Sequence, residues 1–449
     1  MEKIDRRSFL KHIGAAGAGA ALVATGCKSQ TSGVKAGKPD SEGTMEYRTS
    51  GCGDKISLLG YGGMRFPTID NVRGAELDQE QINHLVDYAL EHGVNYFDTA
   101  PVYSGGKAEG ALGRALARHP RDSYFVATKM SNFRGSHTFE EGLEMYQHSR
   151  SELQVDYIDY YLLHSLDGSR ESFNTRFIEN GLLDYLLAER EAGRIRNLGF
   201  SFHGSAEGFD YIMSLHEQYH WDFALVQLNY IDWNHSDECN ASYLYSEMEK
   251  RGIKTVVMEP LLGGRLANVA GMISSQMLER RPGSSVASWA FRFAGSHPNI
   301  MCVLSGMTYM EHLQDNLGTF TGFEPCTEEE NEFLDGVAKA ILQYPLINCT
   351  MCNYCLPCEF GVDIPSIFNH YNKCINEGLV PESSGDSDYR KLRRAFLKGY
   401  DKSVPSLRQA SHCIGCMECI KKCPQKINIP TQLHRIDEYV EILKQQKEF

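Results

Sequence analysis

The sequence predicts an α/β protein in which a closed barrel of eight strand-and-helix units is followed by a small, mostly helical domain. Three observations predict this fold. Short apolar runs alternate with amphipathic stretches of helical period through the middle of the chain. The length of 449 residues accommodates a barrel of about 250 residues and a further domain. Eight of the 14 cysteines lie in two short runs near the C-terminus, which sets that region apart.

The composition argues against several classes of protein. Hydrophobic residues make up 42% and charged residues 23% of the chain, so there is enough apolar material for a full core and the chain is not disordered as a whole. Lys and Arg number 45 against 58 Asp and Glu, a net charge of −13. Because nucleic-acid binders neutralise phosphates with basic residues, this balance argues against nucleic acid as a partner.

Residues 1–27 resemble a twin-arginine export signal. Arg6 and Arg7 precede the small-residue apolar run Ile13 to Gly26, which is shorter than the roughly 20 residues that span a bilayer. Signals of this kind export folded proteins with their cofactors in place, so we expect a periplasmic location or one at the extracytoplasmic membrane face. An ordinary basic N-terminus before a buried helix is the alternative.

A lipid anchor and a linker are predicted next. Cys27 directly follows Ala24-Thr25-Gly26, where a lipoprotein signal would place its acylated cysteine, so lipidation of Cys27 stays open. A membrane is expected as a partner only through the signal or this lipid. Residues 28–45 contain mainly Ser, Gly, Lys and Pro, which predicts a flexible linker.

The barrel is predicted over residues 46–325. Eight alternations of strand and helix fit a closed barrel better than an open doubly wound sheet, and no Gly-rich dinucleotide motif follows the first strand. Predicted helices include Gln79 to His92, Thr138 to Leu153 and Cys239 to Arg251. The predicted strands are Ile56 to Gly60, Asn95 to Asp98, Tyr124 to Thr128, Tyr157 to Leu163, Asn197 to Ser201, Ala224 to Asn229, Lys254 to Met258 and Ile300 to Leu304.

Ionisable side chains fall at or just beyond the ends of these strands. Asp98 ends the second strand, Lys129 follows the third, His164 follows the fourth, and Tyr103 lies in the loop after Asp98. Taken singly, each has an ordinary structural explanation, such as a helix cap, a solvated lysine or a core histidine. Because the C-terminal ends of barrel strands share one mouth, the combination predicts a catalytic site.

At these positions the sequence resembles the aldo/keto reductase family over roughly residues 46–325. The resemblance implies that Tyr103 is the acid/base, that Lys129 and Asp98 assist it, that His164 orients the substrate oxygen, and that a nicotinamide supplies the hydride. The matching stretches are Gly93-Val94-Asn95-Tyr96-Phe97-Asp98-Thr99-Ala100-Pro101-Val102-Tyr103, Ala127-Thr128-Lys129 and Tyr160-Tyr161-Leu162-Leu163-His164, with Gly110 to Arg114 after Glu109 also fitting.

The residue types suit this chemistry. A free Tyr has a pKa near 10 and donates protons poorly at neutral pH. We expect the Lys129 ammonium beside Tyr103 to lower the pKa of the phenol, while Asp98 keeps Lys129 charged and in position.

The resemblance also implies contacts to NAD(P). Ser201 and Gln227 match positions that hold the carboxamide, and Met258 lies where many relatives stack a Tyr on the nicotinamide. The other implied contacts are Gly263, Ser305, Gly306 and Asn316. The choice between NAD and NADP stays open, because the run Ser305-Gly306-Met307-Thr308 contains no Arg or Lys for a 2′-phosphate.

A connecting helix is predicted over residues 326–345 and a ferredoxin-type helical domain with iron–sulfur clusters over residues 346–449. The second cysteine run matches the bacterial two-cluster ferredoxin pattern, in which the fourth cysteine, followed by Pro, binds the other cluster. Zinc is the alternative. The predicted ligands of two [4Fe–4S] clusters are Cys349, Cys352, Cys355 and Cys423 for one, and Cys413, Cys416, Cys419 and Cys358 for the other.

The insert between the cysteine runs predicts helices over Ile364 to Gly378 and Asp388 to Tyr400. It also carries a basic stretch at residues 390–408, which is either a solvated helix face or a docking patch for an acidic redox partner protein. Cys374 fits no ligand spacing and is expected to pack in the core.

The sequence therefore predicts an exported oxidoreductase of aldo/keto reductase type, acting on a small-molecule carbonyl or alcohol and joined to an iron–sulfur electron-transfer domain. A nicotinamide passes two electrons as hydride whereas a cubane cluster passes one, so the clusters either serve another acceptor or stabilise the fold. Two alternatives remain: a catalytically silent barrel that acts as an adaptor for an iron–sulfur electron carrier, and a cytosolic reductase.

Overall fold

The structure is a computed structural model that describes residues 44–71, 74–133, 135–236, 240–381, 383–385 and 387–445. The export signal predicted at residues 1–27, with the possible lipidation site Cys27, nearly all of the predicted linker, and Cys239 lie outside the described residues. Within the described ranges, no helix combines the length and apolar character needed to cross a bilayer.

Eight parallel strands close into a barrel in the described part of the chain, which confirms the predicted barrel fold. A small antiparallel hairpin of β1 (Tyr47–Thr49) and β2 (Lys55–Ser57) precedes it. In order around the barrel, with the last strand pairing with the first, the strands are β3 (Leu59–Gly62), β4 (Tyr96–Asp98), β5 (Phe125–Met130), β6 (Ile158–Leu166), β7 (Ile195–Phe202), β8 (Phe223–Gln227), β9 (Lys254–Met258) and β10 (Ile300–Ser305).

Two of the differences between the predicted and observed strand boundaries affect the description of the site. The predicted strand Ile56 to Gly60 covers parts of two elements, because the chain leaves β2 at Ser57 and enters β3 at Leu59. Lys129 and His164 lie inside β5 and β6 rather than after them. The predicted strands ended just before Lys129 and His164 because these residues are polar. In the structure both residues stay within a strand, since a buried polar side chain is tolerated there when it has hydrogen-bond partners.

Helices cover the outside of the barrel. The helix Phe139–Leu153 begins after Thr138, whose side chain accepts from the Glu141 amide while the Glu141 carboxylate accepts from the Thr138 amide. The α-helical segments from β3 to the end of the barrel are Gln79–Glu91, Ala108–Leu116, Phe139–Leu153, Arg170–Phe173, Leu182–Glu191, Ala206–Ser214, His216–Tyr219, Ala241–Lys250, Gly271–Arg280, Val286–Gly295 and Met310–Phe320.

The core of the barrel lies in layers on both sides of the sheet. Inside, aromatic and aliphatic side chains such as Tyr96, Tyr160 and Phe223 fill the space between the strands. Outside, two larger apolar clusters lie between sheet and helices. The interior is therefore filled rather than open, and the mouth at the C-terminal strand ends is left for function.

The C-terminal region, residues 346–445, is a helical module that packs against the barrel mouth. The helix Glu328–Leu342 leads into it, and its helices are Ile364–Asn376, Tyr389–Ser403 and Ile429–Gln445. These helices enclose an apolar cluster of their own, which includes the buried Cys374.

Most of the predicted basic stretch forms an exposed face of the helix Tyr389–Ser403 and the turn after it. Two of its members have contacts within the module: Arg393 Nε donates to the Leu443 carbonyl oxygen, and Arg408 Nε donates to the Gly361 carbonyl oxygen at 3.3 Å. The exposed members are Arg390, Lys391, Arg394, Lys398, Lys402 and Arg408.

Candidate active site

Three neighbouring strands bring the predicted catalytic residues together. Asp98 ends β4, Lys129 lies in β5 and His164 in β6. Because β4 pairs with β5 and β5 with β6, these side chains share one sector of the mouth. Tyr103 opens a short 3₁₀ turn, Tyr103–Gly106, after β4. The structure therefore brings the four side chains to one site.

Lys129 and Asp98 form a buried ion pair. Lys129 Nζ donates to Asp98 Oδ1 at 2.6 Å and to the Thr99 carbonyl oxygen at 2.7 Å. Burial raises the pKa of Asp98 and lowers that of Lys129, while the attraction between the two charges opposes both shifts. The pair holds a cation near the phenol, since Lys129 Nζ lies 5.0 Å from the centre of the Tyr103 ring.

The pKa of the Tyr103 phenol differs from the expectation. Lys129 was expected to lower it, but burial holds the pKa of Tyr103 well above its usual value, and Tyr354 and Asp98 raise it further. The phenol is enclosed and faces another phenol and a carboxyl group, which disfavour phenolate. In this conformation Tyr103 therefore keeps its proton.

Ser131 and Arg176 position His164, and sequence reasoning missed both. Ser131 Oγ lies 2.6 Å from His164 Nδ1, and Arg176 Nη2 donates to the His164 carbonyl oxygen at 2.5 Å. Burial, followed by the charge of Lys129, holds the pKa of His164 well below its usual range, so the ring is neutral. The sequence signal for Ser131 is its place two residues after Lys129, which puts both on one side of an extended chain. Arg176 has no such signal.

The residues implied as cofactor contacts lie on the other half of the mouth. Ser201, Gln227, Met258 and Ser305 stand at or next to the ends of β7, β8, β9 and β10, which are neighbours in the barrel. The remaining members of the set are Gly263 and Gly306 in loops and Asn316 in the helix Met310–Phe320.

Polar groups in this set already have partners. Ser201 Oγ accepts from the Ser165 amide at 2.7 Å, and Asn316 Nδ2 donates to Ser305 Oγ at 2.9 Å. Gln227 Nε2 donates to Asp232 Oδ2 at 2.7 Å. Hydrogen bonds within the barrel therefore hold these four polar side chains in place.

A segment of the C-terminal module crosses this half of the mouth. Gly263, with a φ of 69°, lies so close to Thr350 that a β-carbon on it would come within 2.3 Å of the Thr350 carbonyl oxygen. Arg65 Nη2 donates to the same oxygen at 2.6 Å, and its side chain packs on Gly306. In this conformation the protein's own backbone occupies the path that the resemblance assigns to a dinucleotide.

Tyr354 from the same segment contacts Tyr103, one of the predicted catalytic residues. The phenols of Tyr354 and Tyr103 are hydrogen-bonded to each other. The Tyr354 ring lies 6.3 Å from that of Phe133, which in turn lies 5.3 Å from the His164 ring. Sequence reasoning missed Tyr354, because its contact joins two regions that are distant in the chain.

The eight C-terminal cysteines influence one another in two sets. Burial raises the pKa of Cys355, and the thiols of Cys352, Cys349 and Cys423 raise it further, followed by Cys419. Burial raises the pKa of Cys419 to about 11, with contributions from Cys413, Cys416 and Cys358. Across the described ranges, no three His, Cys, Asp or Glu side chains are grouped so as to hold a single metal ion.

Two curated proteins resemble the chain over the barrel. An aldo-keto reductase from Mycolicibacterium vanbaalenii is 29% identical over 266 residues, which is 58% of this chain and 85% of that protein. L-galactose dehydrogenase from Arabidopsis thaliana is 24% identical over 332 residues, which is 68% of this chain and 97% of the relative.

A solved structure shares the barrel fold. The aldo-keto reductase from Klebsiella pneumoniae in complex with NADPH superposes with a TM-score of 0.52 at 19% identity, covering 66% of this chain and 95% of that one. The sequence profile described as the aldo/keto reductase family matches residues 58–339, more than half of the chain. The chain belongs to the aldo/keto reductase family.

Proposed function

We propose that the protein interconverts a small-molecule carbonyl and its alcohol, with Tyr103 as the acid/base and NAD(P)(H) as the hydride carrier. One observation carries the proposal: the Tyr103 phenol, the Lys129–Asp98 ion pair and the neutral His164 ring meet at the barrel mouth. Family membership supports the oxidoreductase class.

The ion pair prepares Tyr103 for proton transfer. When hydride reaches a carbonyl carbon, negative charge develops on the oxygen, and a phenol proton neutralises it. The phenolate left on Tyr103 is stabilised by Lys129, whose Nζ lies 5.0 Å from the ring centre. Asp98 keeps Lys129 charged in a buried position, and in the oxidative direction the same phenolate accepts the alcohol proton.

His164 orients the substrate oxygen. We assign the donor role in the bond between Ser131 Oγ and His164 Nδ1 to Ser131, which leaves the His164 proton on Nε2 to donate to the substrate oxygen. A neutral ring suits this role, since an imidazolium beside Lys129 would add a second buried positive charge.

Two observations support NAD(P)(H) as the hydride carrier: the family to which the chain belongs, and a solved structure of the same fold that contains NADPH. NAD(P)H supplies the hydride when bound, and the Klebsiella pneumoniae enzyme was solved with NADPH. Ser201, Gln227 and Met258 are assigned to the nicotinamide end, and Ser305, Gly306 and Asn316 to the phosphate end. In the conformation described, Thr350 crosses this path, so binding requires the segment around Thr350 to move.

Replacement of the Tyr103 hydroxyl tests the proposal. Tyr103→Phe removes the proton donor, so kcat should fall by about a hundredfold to ten-thousandfold while the unfolding temperature stays close to that of wild type. The matched control is Tyr96→Phe, since the Tyr96 hydroxyl has no hydrogen-bond partner among the described residues. NADPH oxidation with a panel of aldehydes measures turnover, and undiminished turnover in Tyr103→Phe would refute the assignment.

The C-terminal thiols are proposed to bind two [4Fe–4S] clusters. The spacing of the two cysteine runs supports this assignment, with Cys349, Cys352, Cys355 and Cys423 for one cluster and Cys413, Cys416, Cys419 and Cys358 for the other. Iron and sulfide analysis together with low-temperature EPR of the anaerobically purified, reduced protein tests it, and zinc without iron would overturn it. Electron transfer from the clusters to a redox partner at the exposed basic face is part of the same proposal.

Export by the twin-arginine route is also part of the proposed function. A lipid on Cys27 would anchor the exported protein to the membrane. The pattern at residues 1–27 supports export. Fractionation of a tagged protein, compared with an Arg6→Lys, Arg7→Lys variant, tests it. Recovery of the wild type wholly in the cytoplasm would exclude export.

One observation favours a second candidate, the silent barrel acting as an adaptor for an electron carrier. The Tyr103 phenol is bonded to Tyr354 of the C-terminal module rather than open to the mouth. A protein that carries both clusters but turns over no carbonyl, even when Tyr354 is replaced, would support the adaptor.

A further inference from the structure

The mouth of the barrel is closed by the module that follows it. Tyr354 lies between Cys352 and Cys355 in sequence, yet its side chain packs against the apolar cluster of the barrel and its phenol is bonded to Tyr103. The Tyr354 ring lies 6.3 Å from the Phe133 ring, and the Phe133 ring lies 5.3 Å from that of His164. The Tyr354 phenol therefore occupies space at Tyr103, the proposed proton donor.

The Tyr354 hydroxyl occupies a hydrogen-bonding position at Tyr103. A carbonyl oxygen that receives a proton from Tyr103 must lie within hydrogen-bond distance of the Tyr103 hydroxyl. Tyr354 already makes a hydrogen bond there, so substrate oxygen and Tyr354 hydroxyl compete for one place. A phenolic hydroxyl and an alcohol present the same donor and acceptor, and Tyr354 thus mimics an alcohol bound at the site.

The same segment closes the second half of the mouth. The Thr350 carbonyl oxygen accepts from Arg65 at 2.6 Å and lies against Gly263. Because Thr350 lies directly against Gly263, an implied cofactor contact, there is no room for a cofactor between them while the segment stays in place.

We propose that Tyr354 gates the active site: it holds the place of the substrate oxygen at Tyr103, and NADPH and carbonyl substrates bind when residues 348–355 move off the mouth. This inference rests on the proposed function and adds a level of control to that same site.

The contacts that hold the segment suit a gate. Besides Arg65 and the contacts of Tyr354, Arg265 holds the segment through a single hydrogen bond, with Arg265 Nη1 donating to Asn348 Oδ1 at 3.1 Å. Nearby in the module but outside the segment, Gln425 Nε2 donates to Gln227 Oε1 of the barrel at 2.9 Å. A cavity of about 470 Å³ between barrel and module lies beside these contacts, and its walls include Gln227, Arg265, Asn348 and Gln425. Polar and incompletely packed interfaces open more readily than apolar ones.

Gating has a measurable consequence for affinity. If only the open form binds NADPH, the apparent Kd equals the intrinsic Kd divided by the open fraction, so weakening the closed form tightens binding. Removing the Tyr354 hydroxyl alone should tighten NADPH binding about threefold, and removing the whole side chain should tighten it about tenfold.

The experiment compares the iron-loaded wild type with Tyr354→Phe, Tyr354→Ala and Arg65→Ala. Arg65→Ala loosens Thr350 from the barrel side and leaves the cysteine turn unaltered. Leu407→Ala is the control, since Leu407 belongs to the same module and is 77% exposed. NADPH binding is followed by fluorescence titration, KM by turnover of a small aliphatic and a bulky aryl aldehyde, and module integrity by iron content.

The NADPH Kd should rise in the order Tyr354→Ala, Tyr354→Phe, wild type. Arg65→Ala should also have a lower Kd than wild type, and Leu407→Ala should have the same Kd as wild type. KM should rise in the same order, more for the aryl aldehyde. Equal Kd and KM in wild type, Tyr354→Ala and Arg65→Ala overturn the gate while leaving the Tyr103 chemistry standing. Tighter NADPH binding without turnover in any variant supports the gate and refutes the proposed reductase.

Discussion

The barrel and the C-terminal module are stabilised in different ways. The barrel has a closed ladder of parallel strands with apolar clusters inside and outside the sheet. The module has three long helices around one smaller cluster, and the eight cysteines of its two runs lie in stretches without regular secondary structure. A closed sheet satisfies its own backbone, whereas irregular stretches need other partners. The barrel is thus self-sufficient, and we expect the module to depend on bound metal.

Left-handed backbone occurs in both regions. In the module, Met351 and Asn353, which flank Cys352, have φ values of 56° and 66°, and Met417 has a φ of 68°. The left-handed region costs a non-glycine residue about 1–3 kcal/mol unless the surroundings enforce it. At the barrel mouth Ser165, Glu259 and Leu262 are left-handed as well, with φ values of 55°, 52° and 46°. The closed barrel enforces those conformations, whereas in the cysteine turns we expect bound metal to do so.

Removal of iron should have the largest effect of all. Chelation under mildly oxidising conditions is expected to unfold the module and leave the barrel folded, because binding free energy in small metal domains is largely folding free energy. Limited proteolysis with mass analysis should then yield a resistant fragment that ends near the helix Glu328–Leu342.

Single cysteine variants separate ligation from packing. Cys352→Ala should lose iron and become sensitive to protease within the module. Cys374→Ala, which removes a buried cysteine outside the two sets, should keep its iron. A module that resists protease equally well with and without iron would show that its helices suffice for stability.

The next largest effect is expected in the barrel. Lys129→Met leaves the Asp98 carboxylate buried without its cation, and such losses cost about 3–5 kcal/mol. Denaturant unfolding of the iron-loaded protein should show a lower midpoint for the barrel transition with the module transition unchanged. Asp98→Asn in the same chain should restore part of the stability, since it removes the unpaired charge.

A surface pair provides the control for Lys129. Lys339 Nζ lies 2.6 Å from Asp335 Oδ2, but both side chains are exposed. Exposed pairs of this kind contribute little because solvent screens them, so Lys339→Met should leave the midpoint nearly unchanged. Equal losses in Lys129→Met and Lys339→Met would contradict the buried-pair argument.

The sequence predicted the barrel well because its periodicity is local. Strands and helices alternate through the chain, and β9 (Lys254–Met258) has the predicted bounds. Strand ends were less predictable at Lys129 and His164. Each stays within a strand because a partner from elsewhere, Asp98 or Ser131, satisfies it, and single-sequence reasoning assigns no partners.

The site was predictable where one motif specifies it and not where two regions meet. Asp98 and Tyr103 fall within one continuous match to a family. Tyr354, Arg65 and Thr350 carry no local signal, because their roles arise from contact between the module and the mouth. The predicted decrease of the Tyr103 pKa was wrong for the same reason, since burial and Tyr354 raise this pKa.

The smallest expected effect is on the stability of the barrel at acid pH, and it distinguishes the barrel from the module once more. In the barrel, the ring of His297 stacks on Trp233 at 4.2 Å, and burial lowers the pKa of His297 to about 4. Between the unfolded pKa of about 6.5 and the folded value, the unfolded chain binds a proton that the native barrel does not. The contribution of His297 to stability is therefore complete above pH 6.5 and decreases as the pH falls toward 4.

Replacement of His297 should flatten this acid dependence. His297→Phe keeps the aromatic contact with Trp233 and cannot take up a proton. Between pH 7 and pH 4, the free energy of unfolding of the barrel should then decrease by about 2 kcal/mol less in the variant than in wild type. The module transition should respond to acid as in wild type, because His297 belongs to the barrel. Denaturant midpoints measured at both pH values check this, and parallel losses in the two proteins would mean that other groups cause the acid sensitivity of the barrel.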